Sequence, residues 1–590
     1  MNLIAFRHVR RGRLAAIFGG LVVILISAVA SVSPAAAAGG AGSTLPYTVT
    51  QAQLSAQGSV NLRALAAQHA NVKAPSLTTA GPYRAVDNDV VTYQPGRSSV
   101  TLNVSTDYAV TTSQVTGESG FIGLTGPEQA AANGDLDLEP PDQGLCAGQG
   151  LVGEFINNAF DVYSPNGVAE EPPIPSYAIF NQPSGSFFSD PRCYYDAPTQ
   201  RWILIEFVIT VNSSLQVIPP ATQFIAVSDD FDPLGDYSIY SFDTTDTSTP
   251  GCPCFGDFDQ LGVDDNGIYI STNEFGDSSG AYNGVILYAL SKQLLETEKQ
   301  TGISPTLFEY RVPSDYFGAT YHIAPAQTPP GAKFAPNTEY FVESNSNATS
   351  DDHLAVYAMI DTSLLAQPAA PPPLSTEVTS ESYAFPPDAS QVKGPHPLGV
   401  ANQDPEGQLQ ADFNAIQEVT YAGGLLYAEA DTATASGLDG AAWFVLSATH
   451  TTTKVTAAVA KQGYVTVAAN SLIYPDIAVN SAGDGYMVFT LTGPNYYPSA
   501  AYIAFDSSVG GFGSIHVAMA GADPEDSFTC YAAFVGPSYG GCRWGDYSMG
   551  VAMGSKVFLA TEVVPPTSRD YLTNWGTFVW SAKPLAPPPA

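Results

Sequence analysis

The chain has 590 residues, with 21 Lys and Arg against 56 Asp and Glu, a formal net charge of −35 at pH 7. That balance excludes nucleic acid and anionic membranes as partners, because both require a basic surface to neutralise phosphate. Only 13% of residues are charged, so the surface must be polar mainly through hydroxyls and amides. With few cations left to repel one another once carboxylates protonate, the composition predicts tolerance of acid.

Residues 1–38 read as a secretory signal peptide. Arg7, Arg10, Arg11 and Arg13 form a positive n-region, Leu14 to Val32 is almost entirely apolar, and the small residues from Pro34 to Ala38 offer a cleavage site. Cleavage removes four arginines and no acid, leaving 17 basic side chains against 56 acidic ones, a net charge of −39. The mature chain is expected to be secreted, extracellular, monomeric and free of membrane contact. The six cysteines, Cys146, Cys193, Cys252, Cys254, Cys530 and Cys542, then point to disulfides. Cys530 and Cys542 bracket a Gly-rich loop and form the best local pair. Cys252 and Cys254 either close a tight ring on themselves or reach Cys146 and Cys193.

Residues 39–120 lack clear periodicity and read as an N-terminal extension, part disordered and part strand. Residues 121–590 form the main domain. From about Asp135 onward, alternating apolar runs of four to eight residues rich in Val, Ile, Tyr, Phe and Thr are separated by Gly, Pro, Asn and Asp, which is the signal of an all-β chain. Leu290 to Gln300 is the one good helical stretch. The Pro-rich segment AQPAAPPPLS near residue 370 reads as a linker or long loop.

One phrase recurs. In GVDDNGIYISTNEFG and in RWGDYSMGVAMGSKVFLATE, polar residues with acids precede an apolar run, a Gly-containing turn and a second apolar run ending on Glu274 or Glu562. Looser versions are anchored at Asp142, Asp190, Asp257, His322, Asp412, Asp476 and Asp546, with spacings of 48, 67, 65, 90, 64 and 70 residues. Paired strands repeated seven times at this period predict an all-β propeller of seven blades, since single blades cannot bury both faces and must stack around an axis. The runs VILYAL, FIAVS, LAVYAMI, AAWFVLS and AAYIAF are the expected third strands.

GCPCFGD (251–257), GIYISTNEF (267–275), GVILYALSK (284–292), YYPSAAY (496–502), RWGDYS (543–548) and NWGTF (574–578) together resemble secreted bacterial proteins described as sialidase-like or BNR-type β-propellers. The resemblance covers roughly residues 135–580 and implies a β-propeller; the group it points to carries no assigned activity. The sequence lacks the Ser-x-Asp-x-Gly-x-x-Trp box of true sialidases. Arg192, Arg201, Arg311, Arg543 and Arg569 are the only arginines of residues 135–590, where a sialidase grips its substrate carboxylate with three.

In a propeller the innermost strands line one axial channel, so the recurring acids are expected to converge at one mouth. Close carboxylates separate into an acid and a base, the requirement of glycosidic cleavage. The catalytic candidates are Asp190, Asp257 and Asp546. Arg192, His322, Arg543, Trp544 and Tyr547 would orient a polysaccharide or glycan, with aromatic faces against sugar rings. Carboxylate oxygens also suit Ca2+. The alternative is a non-catalytic extracellular binding or scaffold protein, with or without stabilising calcium, in which the acids cap backbone amides. Glu274 and Glu562, at strand ends, are expected to be solvated. The G-x-S-x-G match from Gly536 to Gly540 lacks the strand–turn–helix setting of a nucleophile elbow.

Overall fold

The computed structural model describes residues 4–7, 47–70, 83–86, 107–111, 118–134, 136–211, 217–276, 281–297, 305–312, 322–346, 349–367, 369–411, 413–507, 510–536 and 541–584. Residues 1–38, expected to be a signal peptide, lie outside the described residues apart from residues 4–7, as does Asp412. So does most of the G-x-S-x-G match.

Apart from a small sheet of Ile4–Arg7, Tyr83–Val86 and Leu136–Glu139, the described strands build seven antiparallel meanders of four strands each. Their innermost strands are Gly144–Gly148, Phe187–Asp196, Cys254–Val263, Ala324–Gln327, Val419–Ala422, Ser471–Val479 and Met549–Met553. Each packs on the next, and Met549–Met553 returns to Gly144–Gly148, so the circuit closes. The chain is an all-β propeller. The five apolar runs expected as third strands fall in Tyr282–Ser291, Val217–Ser228, Ser350–Ile360, Asp439–His450 and Tyr496–Asp506. Their alternating faces meet the neighbouring meander on each side: Ile225 and Val227 of the second pack with Ile268 and Ile270 of the third.

A left-handed residue marks the entrance to most innermost strands. Asp142 (φ 49°), Asp190 (53°), Phe258 (60°), His322 (74°), Tyr474 (53°) and Gly545 (39°) occupy this position. In the second, third and sixth meanders the pairing slips there, between Ser189 and Arg192, Asp257 and Gln260, and Ile473 and Asp476. These are β-bulges, which free a backbone amide and turn the strand toward the axis. A non-glycine residue at positive φ costs about 1–3 kcal/mol, so the surroundings must hold it. Polar side chains at the end of the preceding meander's second strand do so. The Asp190 N–H donates to Asn157 Oδ1 (2.9 Å), the His322 N–H to Asn273 Oδ1 (3.0 Å) and the Tyr474 N–H to Asp431 Oδ1 (3.1 Å). The Ile416 N–H, at the entrance of the fifth meander, donates to Ser344 Oγ at 3.0 Å. Asp190 continues the chain of stitches, its Oδ2 accepting the Phe258 N–H at 2.7 Å.

The N-terminal part closes and straps the ring. Ser119–Thr125 is the outermost strand of the seventh meander, paired antiparallel with Gly576–Ala582. Thr48–Gln53 and Ser55–Asn61 add fifth strands to the third and second meanders. Between them Leu54 is buried against Ile203, Ile225 and Leu307. Three disulfides join Cys146–Cys193, Cys252–Cys254 and Cys530–Cys542. The first links the innermost strands of the first two meanders, and the second closes on itself across Pro253.

Two local expectations change. The Pro-rich segment near residue 370 runs directly into an outer strand, Pro373–Ala384, where a proline at the first position forfeits no ladder bond. The helix begins at Lys292, because Leu290 and Ser291 complete a third strand, and is described to Thr297; residues 298–300 of the expected stretch lie outside the described residues. Among the described residues no helix is long and apolar enough to cross a membrane.

Candidate functional site

All the sequence-predicted site residues lie at the entrances of innermost strands, on one end of the ring, but they do not share one register. Asp142, Asp190 and His322 occupy the left-handed position itself, Asp257 precedes it, Asp546 follows it by one residue and Asp476 by two. Side chains one residue apart on a strand point to opposite faces. Even so, Asp142 and Asp190 act on the Arg192 charge, and Arg192 acts on Asp476, so three of these acids gather around one guanidinium. Asp190, Asp257 and Asp546 are all 0% exposed. Asp190 accepts the Phe258 amide, and Asp546 receives Arg543 Nη2 on Oδ1 at 2.6 Å. Trp544 is buried too, its indole donating to Thr490 Oγ1 of the sixth meander at 3.2 Å. Arg543 and Trp544 are thus occupied with their own neighbours, without an open face for a sugar ring.

The structure does bring Arg192, His322 and Tyr547 together on the axis. The Arg192 guanidinium lies 3.5 Å from the Tyr547 ring centroid, and its Nε donates to Gln260 Oε1 at 3.1 Å. Phe258 touches His322, Phe413 and Tyr547 with ring centroids 5.0, 5.2 and 5.0 Å apart. With Leu136 and Leu138 these rings form an apolar plug across the entrance. Segments leading into the first, fifth and seventh meanders interlock over it: the Thr529 N–H donates to Glu139 Oε2 (3.0 Å), and the Glu525 N–H to Gln391 Oε1 (2.7 Å). Burial, reinforced by the Arg192 charge, holds the His322 imidazole down to about 3, so it is neutral in any ordinary solution.

Below the plug lies a carboxyl group that the repeat did not reveal. Glu418 Oε1 is 3.4 Å from Arg192 Nε, and burial pushes its carboxyl up to about 7 against the pull of Arg192. Burial and then the Glu418 charge raise Asp476 well above its usual range. Glu429 is raised by burial and by both neighbours. Glu274 and Glu562, expected in solvent, are 0% and 3% exposed. The exit ends of second strands are covered by the segments entering the next meander, and burial raises Glu274 to about 8.

An open cleft lies elsewhere on the same end of the ring. The loop 243–249 joins the outermost strand of the second meander to the innermost strand of the third. With Thr48, Thr50, Ile286, Tyr288, Glu309 and Arg311 it encloses a cleft of about 340 Å3. Arg311 Nη2 is paired with Asp246 Oδ2 at 2.6 Å. Asp246 Oδ1 accepts the Ser248 and Thr249 amides (2.7 and 3.2 Å), and Thr50 donates to Glu309 Oε2 (2.9 Å). Burial opposes ionisation of Asp246, but bonds from Thr249 and Ser248 and the Arg311 charge prevail and hold it below the usual carboxylate range. The run DTTDTST, Asp243 to Thr249, carries five hydroxyls in seven residues. That density was the available signal, masked by its similarity to an ordinary surface turn.

Among the described residues one group could converge on a cation, Asp351, Asp352 and His353. His353 Nδ1 already faces Asp352 Oδ1 at 2.7 Å and its Nε2 faces Glu377 at 3.3 Å. A nitrogen-containing set on an exposed edge is a poor match for calcium, which prefers six to eight oxygens.

No protein-family profile and no curated protein matches this sequence. Solved structures do. The chain is similar to an exo-β-1,3-galactanase from Clostridium thermocellum at 10% identity and a TM-score of 0.27, covering 75% of this chain and 95% of that one. It is similar to a phage phi92 endosialidase at 8% identity and a TM-score of 0.33, covering 76% and 67%. The Trypanosoma rangeli sialidase in complex with sialic acid matches at 10% identity and a TM-score of 0.31, over 80% of this chain and 59% of that one.

Proposed function

We propose that this protein is an exported, non-catalytic carbohydrate-binding propeller whose ligand contacts lie in the cleft between the second and third meanders. The observation that carries this reading is the contrast between the two candidate sites. At the axial mouth the polar groups are buried under an aromatic plug, with no open face toward solvent. In the cleft, hydroxyls, an acid–base ion pair and a neighbouring carboxylate surround a volume that falls in the range of small-ligand pockets. Sugars are recognised by such mixed donors and acceptors. Three disulfides match an oxidising compartment. The reading is tested by a glycan array probed with the secreted protein and its Arg311→Gln and Asp190→Asn variants. Binding by the parent and by Asp190→Asn, lost in Arg311→Gln, supports it. Loss in Asp190→Asn with retention in Arg311→Gln moves the site to the axis.

A second reading, carbohydrate hydrolysis at the axis, is favoured by the Arg192–Glu418 pair with Asp476 and Glu429 beside it. There carboxyls raised by burial stand beside a guanidinium, and a raised carboxyl is the general acid that glycosidic cleavage requires. It requires the parent to release shortened glycan and Glu418→Gln to release none, whereas Asp257→Asn, outside that pair, retains the activity.

A further inference from the structure

The cleft contains one cation, and that cation is answered. Arg311 is the only basic residue lining it, against Asp243, Asp246 and Glu309. Its Nη2 contacts Asp246 at 2.6 Å, and Asp246 is itself fixed by the loop amides of Ser248 and Thr249. Glu309 lies two residues before Arg311 on the same strand, so both side chains point to the same face. With Nη2 held by Asp246, the Arg311 charge is already answered by a carboxylate, so a second carboxylate gains less from it than it would from an unpaired guanidinium. An incoming anion would also face three like charges at short range. A neutral polyol meets no such barrier: guanidinium N–H groups not facing Asp246 donate, carboxylate oxygens accept, and Thr48 and Thr247 stand exposed at the rim.

We infer that this cleft selects neutral saccharides and rejects acidic ones such as sialic or uronic acids, with Asp246 and Glu309 as the specificity-determining residues because they mask Arg311. The inference rests on the carbohydrate-binding reading above and sharpens it. The N-terminal strand Thr48–Gln53 is part of the device. It pairs with the strand carrying Glu309 and Arg311, and Thr50 orients Glu309.

The test is calorimetric titration of the secreted protein at pH 7 with four probes: maltotriose and cellotriose as neutral ligands, sialyllactose and trigalacturonic acid as acidic ones. The parent is expected to bind at least one neutral trisaccharide at least tenfold tighter than either acidic probe. Asp246→Asn keeps an acceptor for the loop amides and unmasks Arg311, so the ratio should fall to threefold or less through a gain for the acidic probes. Glu309→Gln, which leaves the loop intact, should shift the ratio in the same direction and serves if Asp246→Asn fails to fold. A parent that binds both classes equally, or prefers the acidic probes, overturns the inference but leaves carbohydrate binding in place. So does a ratio unchanged in a folded variant. A parent silent to all four probes overturns both.

Discussion

At the scale of single residues, the recurring acids and amides at the strand entrances hold the chain in a conformation it would otherwise avoid. Asn157 shows the logic most fully. Its Oδ1 takes the Asp190 amide at 2.9 Å, while its Nδ2 donates to Pro140 O at 2.9 Å and to Asp142. Asn157→Ala leaves a buried amide and a buried carbonyl without partners. It should cost about 2–4 kcal/mol, measured by chemical denaturation, since each orphaned buried group costs about 1–3 kcal/mol. A loss below about 0.5 kcal/mol would mean that the stitches are incidental. Glu418→Gln is the complementary case. Above the value of about 7 to which burial raises Glu418, it strips Arg192 of its counter-charge inside the ring, and breaking a buried pair typically costs about 3–5 kcal/mol; in acid, where the carboxyl is protonated, the loss is smaller. The variant should be destabilised by that order while still binding glycan. The sequence revealed where these acids lie but not which way they point. Asp190, Asp257 and Asp476 look equivalent as letters, but a bulge shifts the register around each, and a one-residue shift exchanges the two faces of a strand.

At the scale of elements, the strap and the disulfide between the first two meanders secure the ring. Leu54 is 1% exposed where the two strap strands meet. Leu54→Ala should lose about 2–5 kcal/mol, as buried Leu→Ala changes do, and should loosen the Thr48–Gln53 wall of the cleft. Hydrogen exchange at residues 48–61 reads this out, and unchanged protection would contradict it. The Cys146–Cys193 bridge closes a loop 47 residues long, for which chain entropy gives about 4 kcal/mol of stabilisation. Replacing both cysteines by Ala should lower the denaturation free energy by that order. First, second and third strands were legible from period-2 alternation and Gly turns. Outer strands were less so. Pro373–Ala384 opens in a Pro-rich run, and the outer strand of the last meander, Ser119–Thr125, comes from the opposite end of the chain, a pairing that no local pattern announces.

At the scale of the whole molecule, the store of buried neutral carboxyls dictates how stability follows pH. Burial raises Glu154 and Glu418 to about 7, and Asp161 and Glu274 to about 8. In the unfolded chain such groups titrate near pH 4. Folding therefore binds protons between about pH 4 and 8. The stability these groups supply is complete below their unfolded values and falls as pH rises through the folded ones, by up to about 1.4 kcal/mol per group per pH unit. In the other direction, the lowered Asp246 contributes stability that disappears as pH falls below about 4. The melting temperature should therefore peak at about pH 4–5 and decline steadily to pH 9. A melting temperature that rises between pH 5 and 8 would contradict this. The acid tolerance expected from the scarcity of cations thus has a second source, invisible in composition, because only the fold decides which carboxyls are buried.

The most direct measurement is hydrogen–deuterium exchange of the protein with and without a glycan that it retains on the array. Binding in the cleft should slow exchange in residues 243–249 and 306–312 and leave the axial segments 187–196 and 471–479 unchanged. Protection confined to those axial segments, with none in the cleft, would contradict the assignment and place the ligand on the axis beside Arg192 and Glu418.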